Sequence, residues 1–253
     1  MHPSRYLYIL LLTCSAACTR PELKADVNVP SLPAVIDEQD RRTTIEYDRN
    51  LNAAKIITEV PATSAGWKLQ ESISIDYTNN RPVTIHYGNT PVYLRYNDAG
   101  DLVEIDRDLI RKNEYDSLVY DNQRRIIAIY HFSSRPTVEF LEWSQQNLVA
   151  VDEAYVTDTV PAYFKTYLYQ YDDKPGYYKA LRILGLVDRS RRYYLSGGNV
   201  VNTWFNQEGN AMPLETFVMD VQYQSNGLRS SWVEEVWDDV DMVASRQVQV
   251  KYR

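Results

Sequence analysis

From Thr43 to the C-terminus, apolar residues recur at every second position. Ile73, Ile75 and Tyr77 share one face of an extended chain, while Ser74 and Asp76 fall on the other. Val83, Ile85 and Tyr87 repeat the pattern, as do Val248, Val250 and Tyr252 near the end. A period of two marks strands with one buried and one wet face. No stretch sustains a 3.6-residue apolar stripe over several turns, so helices are expected to be few and short.

The strands are punctuated by a recurring phrase, an aromatic followed by a polar turn. It reads Tyr47-Asp48-Arg49-Asn50, Tyr77-Thr78-Asn79-Asn80, Tyr96-Asn97-Asp98-Ala99-Gly100 and Tyr120-Asp121-Asn122-Gln123. It returns at Trp143, Tyr171 and Tyr223, with Tyr194 a weaker member. Gly, Asn and Asp at these breaks suit the turn conformations of hairpins. Asp98-Ala99-Gly100-Asp101 and Ser225-Asn226-Gly227 are the clearest turns. Successive phrases are separated by about the length of two strands and two turns, so each unit reads as one hairpin. Roughly fourteen strands are expected from such units, and a sheet that wide should curl. The expected fold is all-β, an antiparallel meander of stacked hairpins curled into a barrel or half-barrel.

These units resemble degenerate YD-type repeats of Bacteroidota-type lipoproteins of unknown function with a porin-like β fold. The resemblance is carried by Tyr171-Asp172-Asp173-Lys174-Pro175 and by Leu195-Ser196-Gly197-Gly198-Asn199-Val200-Val201. Pro175-Gly176-Tyr177-Tyr178 stands where an Asn-Pro-aromatic usually follows. The resemblance covers roughly residues 43–253. It implies a porin-like β fold and assigns no catalytic residue.

The N-terminus has a different character. Arg5 precedes a short apolar stretch from Tyr6 to Thr13, and Ser15-Ala16-Ala17 then precede Cys18. The stretch is too short for a permanent transmembrane helix and reads as a cleaved signal. Ser15-Ala16-Ala17-Cys18 resembles the lipobox of bacterial lipoproteins, with Ser15 where Leu is usual, which makes Cys18 the expected lipidated residue. The alternative is an ordinary secretory signal with an incidental cysteine. Residues 1–17 are thus expected to be a signal peptide, and 18–42 a lipidated cysteine and flexible stalk interrupted by Pro21, Pro30 and Pro33. Residues 43–253 are expected to form a single repeat-built β domain. Thr19 stands where an inner-membrane retention signal would place Asp, which favours the outer membrane, on its periplasmic face or at the cell surface.

Composition narrows the chemistry. A formal net charge of -7 argues against a nucleic-acid partner. If Cys18 is the lipidated residue, Cys14 leaves with the signal and no thiol remains for a metal or a nucleophile. His86 and His131 are read as solvated strand residues, and no metal or cofactor is expected. Asp172, Asp173, Asp238, Asp239 and Asp241 read as turn or wet-face acids. Ser196-Gly197-Gly198-Asn199 reads as a hairpin turn. With 21 tyrosines in the chain, some must face solvent. Tyr163, Tyr167, Tyr169, Tyr177 and Tyr178 are the candidate ligand-binding residues. The leading expectation is a non-enzymatic binding or scaffold module on a membrane anchor, with a glycan or an envelope protein as partner. The alternatives are a glycan-binding lipoprotein using exposed tyrosines and a carboxylate-dependent hydrolase. Function is expected around residues 163–199, where the repeat is least regular.

Overall fold

A computed structural model of the chain describes residues 32–63, 66–107, 114–156, 162–176, 181–208, 214–238 and 240–253. The compact unit among these runs from Leu32 to Arg253. The signal segment 1–17 and Cys18 lie outside the described residues.

Eight hairpins follow one another. They are β1 (Pro33–Glu38) with β2 (Arg41–Tyr47), β3 (Ala53–Pro61) with β4 (Trp67–Thr78), β5 (Arg81–Tyr87) with β6 (Thr90–Tyr96), and β7 (Leu102–Asp106) with β8 (Tyr115–Tyr120). Then come β9 (Ile126–Phe132) with β10 (Thr137–Ser144), β11 (Asn147–Tyr155) with β12 (Ala162–Pro175), β13 (Gly198–Gln207) with β14 (Leu214–Tyr223), and β15 (Arg229–Asp238) with β16 (Asp241–Tyr252). Each strand pairs antiparallel with its sequence neighbours, and β1 closes on β16 with Ile36 opposite Val250. The result is a closed sixteen-strand barrel, one hairpin more than the repeat count suggests. The extra hairpin begins in the segment read as stalk. Residues 33–42 form β1 and the start of β2, because Ile36 supplies an inward apolar position and Pro33 sits at the tolerated first position of a strand.

The recurring aromatics have a common task. In seven of the eight hairpins an aromatic near the end of the even-numbered strand donates a hydrogen bond to a backbone carbonyl near the start of its hairpin partner. Tyr47 Oη donates to the Pro33 carbonyl at 2.7 Å, Tyr77 to Ala53 at 3.0 Å, Tyr96 to Pro82 at 2.8 Å and Tyr120 to Leu102 at 2.7 Å. Trp143 Nε1 donates to Ile126 at 2.7 Å, Tyr171 Oη to Leu148 at 2.7 Å and Tyr252 Oη to Arg229 at 2.6 Å. The rings pack on the core while the polar atom clamps the open end of each hairpin. In β13–β14 the aromatic Tyr223 turns to Asp172 instead, and Arg229 Nη1 donates to the Val200 carbonyl. Burial raises the hydroxyl pKa of Tyr77, Tyr96 and Tyr120 to about 12, so these remain donors.

The turns joining one unit to the next lie on the same rim, called the upper rim below. Asp48 accepts from the amides of Asn50 and Asn52, and Asp121 accepts from those of Gln123 and Arg125. In the four longer turns the fourth residue adopts positive φ, Leu51, Gly100, Arg124 and Gly227, and the two-residue turns place it at Asn79, Asn80 and Gln145. Glycine takes that conformation freely, and local Asx hydrogen bonding carries Leu51 and Arg124.

A barrel of sixteen strands encloses more space than its own side chains fill. Here the β12–β13 connection folds back inside. Its described part is α1 (Arg182–Val187) and a 3-10 segment, Arg189–Leu195. Leu181, Leu184, Val187 and Leu195 belong to one core with inward residues from around the barrel, among them Ile45, Ile85, Ile129 and Val248. This connection is a plug. The short helices expected from the missing 3.6-residue stripe are this element. Ser196-Gly197-Gly198-Asn199, read as a hairpin turn, is the exit of the plug into β13: Gly197 N donates to the Gln146 carbonyl, and a Cβ on Gly198 would lie 3.1 Å from the Asp172 carbonyl.

The exterior is the polar face of the alternation, with Glu46, Asp76, His86, Arg95 and Glu104 among its side chains. Membrane-spanning barrels carry an apolar band outside and a polar lumen, and a charge on the lipid face costs about 2–4 kcal/mol at mid-bilayer. Here the interior is filled by an apolar core with paired charges, and the outer wall carries charged side chains.

Candidate functional site

The five tyrosines picked from the sequence do not form one surface. Tyr167 and Tyr169 share the inward phase of β12, and a bulge between Tyr163 and Lys165, opposite Glu153 and Ala154, inverts that phase so that Tyr163 points out. Tyr169 is 6% exposed and sits 6.3 Å from the plug's Tyr193, while Tyr167 stacks on Phe205 at 4.8 Å. These two are core residues. Tyr163, 55% exposed, lies on the outer wall beside Phe140 at 6.2 Å. Tyr177 and Tyr178 lie outside the described residues.

His131 also departs from its expected place. It shares the phase of Ile129, which faces in, and its flanking aromatics Tyr130 and Phe132 take the outer wall. His86 is on the exterior, bonded to Asp76 at 2.8 Å. His131 is 4% exposed and is held from both sides, Nδ1 by Asp116 at 2.6 Å and Nε2 by Glu139 at 2.7 Å. Glu139 in turn receives Nε and Nη2 of the plug's Arg192, whose Nη1 donates to the carbonyls of Gly185 and Leu186. Arg107 bridges Asp116 and the Val187 carbonyl at 2.8 and 2.9 Å, and Arg189 reaches Glu153 and Glu139 at 3.3 Å. Burial pushes the Glu139 carboxyl up, but Arg192 and His131 outweigh it and hold the group well below the usual carboxylate range. Asp116 is lowered, burial being overcome by His131 and Arg107. His131 is raised, its two carboxylates overcoming burial. With a carboxylate on each nitrogen, the geometry favours the charged imidazole, the form that donates from both. Sealed and fully bonded, this cluster is a latch that fixes the plug to β8–β11.

Across the lumen the plug meets a polar chamber of about 270 Å³, lined by Glu38, Arg41, Thr58, Tyr193, Glu234 and Arg246 among others. Arg246 Nε donates to Glu234 at 2.7 Å, but Arg41 Nε and Glu38 Oε2 are 3.6 Å apart. Both atoms are buried without a hydrogen-bond partner among the described residues.

A larger cleft opens at the upper rim, where the β8–β9 and β10–β11 turns overhang the top of the plug. Its volume is about 580 Å³. Tyr120, Ile126, Trp143, Leu186 and Leu195 form the apolar floor, and Gln123, Gln145, Gln146, Arg124, Arg125 and Arg182 the polar rim. Among the described residues no carboxylate lines it. Arg124 is tied to Asp101 at 2.8 Å and Arg125 to Asp121 at 2.8 Å. Arg182 donates to the Leu195 carbonyl at 3.0 Å and has no ion-pair partner among the described residues. Desolvation lowers the pKa of its guanidinium, the mark of a cation held without a counter-charge. An apolar hollow with a few convergent polar groups is the usual form of a ligand site. These residues come from turns at 120–125 and 143–146 and a plug near 182, so only barrel closure and the folded-back plug bring them together. The sequence signal was faint: a pair of arginines, a third sixty residues on, and an irregular repeat between.

A crystal structure of a porin-like protein from Bacteroides uniformis ATCC 8492 is similar to this chain, with a TM-score of 0.58 at 11% identity over 88% of this chain and 99% of that one. A porin-like protein from Bacteroides vulgatus ATCC 8482 matches with a TM-score of 0.39 at 10% identity, over 88% and 99%. The structure titled TcdB2-TccC3-Cdc42 matches with 0.33 at 9%, over 84% of this chain and 13% of that one. The first of these shows a shared, porin-like β fold. No family model and no curated protein matches the chain.

Proposed function

We propose that this protein is a non-enzymatic binding module of the cell envelope, tethered to the outer membrane through Cys18, that captures an anionic ligand in the cleft at its upper rim. The observation that carries the reading is Arg182: on a chain of net charge -7, an arginine with no ion-pair partner among the described residues overlooks an apolar floor in a cleft whose described lining holds no carboxylate. A cation placed over apolar surface selects ligands with a negative end and a hydrophobic body. The tether rests on the lipobox resemblance, and the charged outer wall suits a barrel that stands in water beside the membrane. A non-catalytic role fits the buried Asp116–His131–Glu139 group, whose three side chains are spent on each other and on the plug.

The test uses the full-length chain and benzoate as probe, followed by the fluorescence of Trp143 and its fellow tryptophans and by calorimetry. Saturable binding is expected, weakened about tenfold or more in Arg182→Ala, since a hydrogen-bonded charge contributes about 1.5–3 kcal/mol. Absence of binding by benzoate or any other anion tried overturns the reading.

A further inference from the structure

The cleft's polar groups specify more than a charge. We infer that it takes an acidic sugar, a saccharide bearing a carboxylate, with the carboxylate on Arg182, the hydroxyls on the glutamine amides and the apolar ring face over the Trp143 side of the floor. This rests on the reading of the cleft as an anion site and names the class of ligand.

Three features separate this class from its rivals. The first is the number of free cations. Arg124 and Arg125 are each held by an aspartate, which among the described residues leaves for a ligand the part of the Arg182 guanidinium not spent on the Leu195 carbonyl. One cation matches a monoanionic carboxylate, and Arg binds carboxylate in a bidentate fork. A phosphate near neutral pH carries more charge and would draw on several unpaired cations. The second feature is the row of Gln123, Gln145 and Gln146 along the rim. A primary amide offers both donors and an acceptor, as a hydroxyl does, so three amides are matched by a polyhydroxylated ligand. A fatty acid would desolvate the same amides and leave them unpaired, at about 1–3 kcal/mol each. The third feature is the floor. The indole of Trp143 is pinned by its bond to the Ile126 carbonyl, and Tyr120 by its bond to Leu102, so both rings are fixed before a ligand arrives. Rigid aromatic surface favours the positively polarised C–H face of a sugar ring and loses little entropy on binding.

The experiment compares D-glucuronate, D-glucose, inorganic phosphate and benzoate on the full-length chain by calorimetry, with Arg182→Ala, Arg182→Lys and Gln123→Ala alongside. Both positions are exposed, and each variant is first checked for an unchanged unfolding midpoint. D-glucuronate is expected to bind about tenfold or more tighter than D-glucose, and Arg182→Ala to erase that preference while Arg182→Lys keeps part of it. Gln123→Ala is expected to weaken D-glucuronate several-fold and leave benzoate unchanged. Binding of benzoate or phosphate with Arg182 dependence but without D-glucuronate overturns the sugar assignment and leaves the anion site standing. Equal affinity for D-glucose and D-glucuronate also overturns it. Absence of binding by all four overturns both.

Discussion

The plug meets two unlike walls. On the β8–β11 side its arginines enter a dry lattice of charges in which Arg192 and Glu139 are each 1% exposed and every carboxylate is matched. On the β1–β3 and β15–β16 side it borders a chamber where Glu38 and Arg41 approach without bonding. The chemistry is the same, arginine facing glutamate, and the energetics are opposite. A buried pair with good geometry and all its protons used is costly to break, because removing one partner strands the other. A buried carboxylate left short of donors is itself a cost, and Glu38 shows it: desolvation outweighs Arg246 and Arg41 and raises its pKa. One wall holds the plug. The other leaves it room.

The largest test of this contrast removes the latch. Glu139→Ala leaves Arg192 buried and unpaired, and a loss of about 3–5 kcal/mol is expected in urea unfolding. Trypsin should then cut at Arg191 or Arg192, which the native barrel encloses, so limited proteolysis reports release of the plug apart from global unfolding.

A second test uses pH. His131 has a raised pKa in the folded state, so its contribution is complete below the ordinary value of 6.5 and is lost as pH rises through the raised value. Asp116 and Glu139 are lowered, so theirs is present above the ordinary values of 3.8 and 4.5 and is lost as pH falls through the lowered ones. The latch is therefore tightest between about pH 4.5 and 6.5. Stability should decline above that window with a slope of at most about 1.4 kcal/mol per pH unit, and His131→Gln should flatten that decline. A slope unchanged in the variant would show that the imidazole is not charged in the latch.

The smallest effect has the opposite sign. Glu38→Gln on the chamber wall removes a poorly compensated charge and should stabilise the protein by about 0.5–1 kcal/mol at pH 7, read as a higher urea midpoint. A loss comparable to that of Glu139→Ala would erase the distinction between the walls.

Much of the barrel was legible in the chain, because it is written locally. Alternation such as Ile73-Ser74-Ile75 and turns such as Asn97–Asp101 need no distant partner to be understood. The first hairpin was missed because Pro30 and Pro33 sit among acids, and a proline at a strand's first position looks the same as one in a linker. His131 was misplaced for a different reason. Period two separates a strand into two faces without saying which is inside, and only Ile129, two residues away, fixes the phase. The plug was visible as an irregularity in the repeat over 163–199 but not as an interior element. Its six-residue helix is too short to show periodicity, and its ligands Glu139, Asp116 and Arg107 are contributed from far along the chain. The cleft residues Gln123, Trp143 and Arg182 were unreadable as a group, since their meeting depends on closure of the ring.

The aromatic clamps carry a consequence for how such a barrel came to exist. Seven of the eight hairpins bring their own donor, such as Tyr77, and their own acceptor, such as the Ala53 carbonyl, so outside β13–β14 the bond is complete within one copy of the unit. A gene segment encoding one hairpin can then be duplicated or lost without leaving a neighbour short of a partner. The circumference becomes a quantity that ancestry can change in steps of two strands. The connection folded inside has no such freedom, and it must be refitted each time the ring gains or drops a unit. Barrels descended this way should keep their walls recognisable while their fillings diverge.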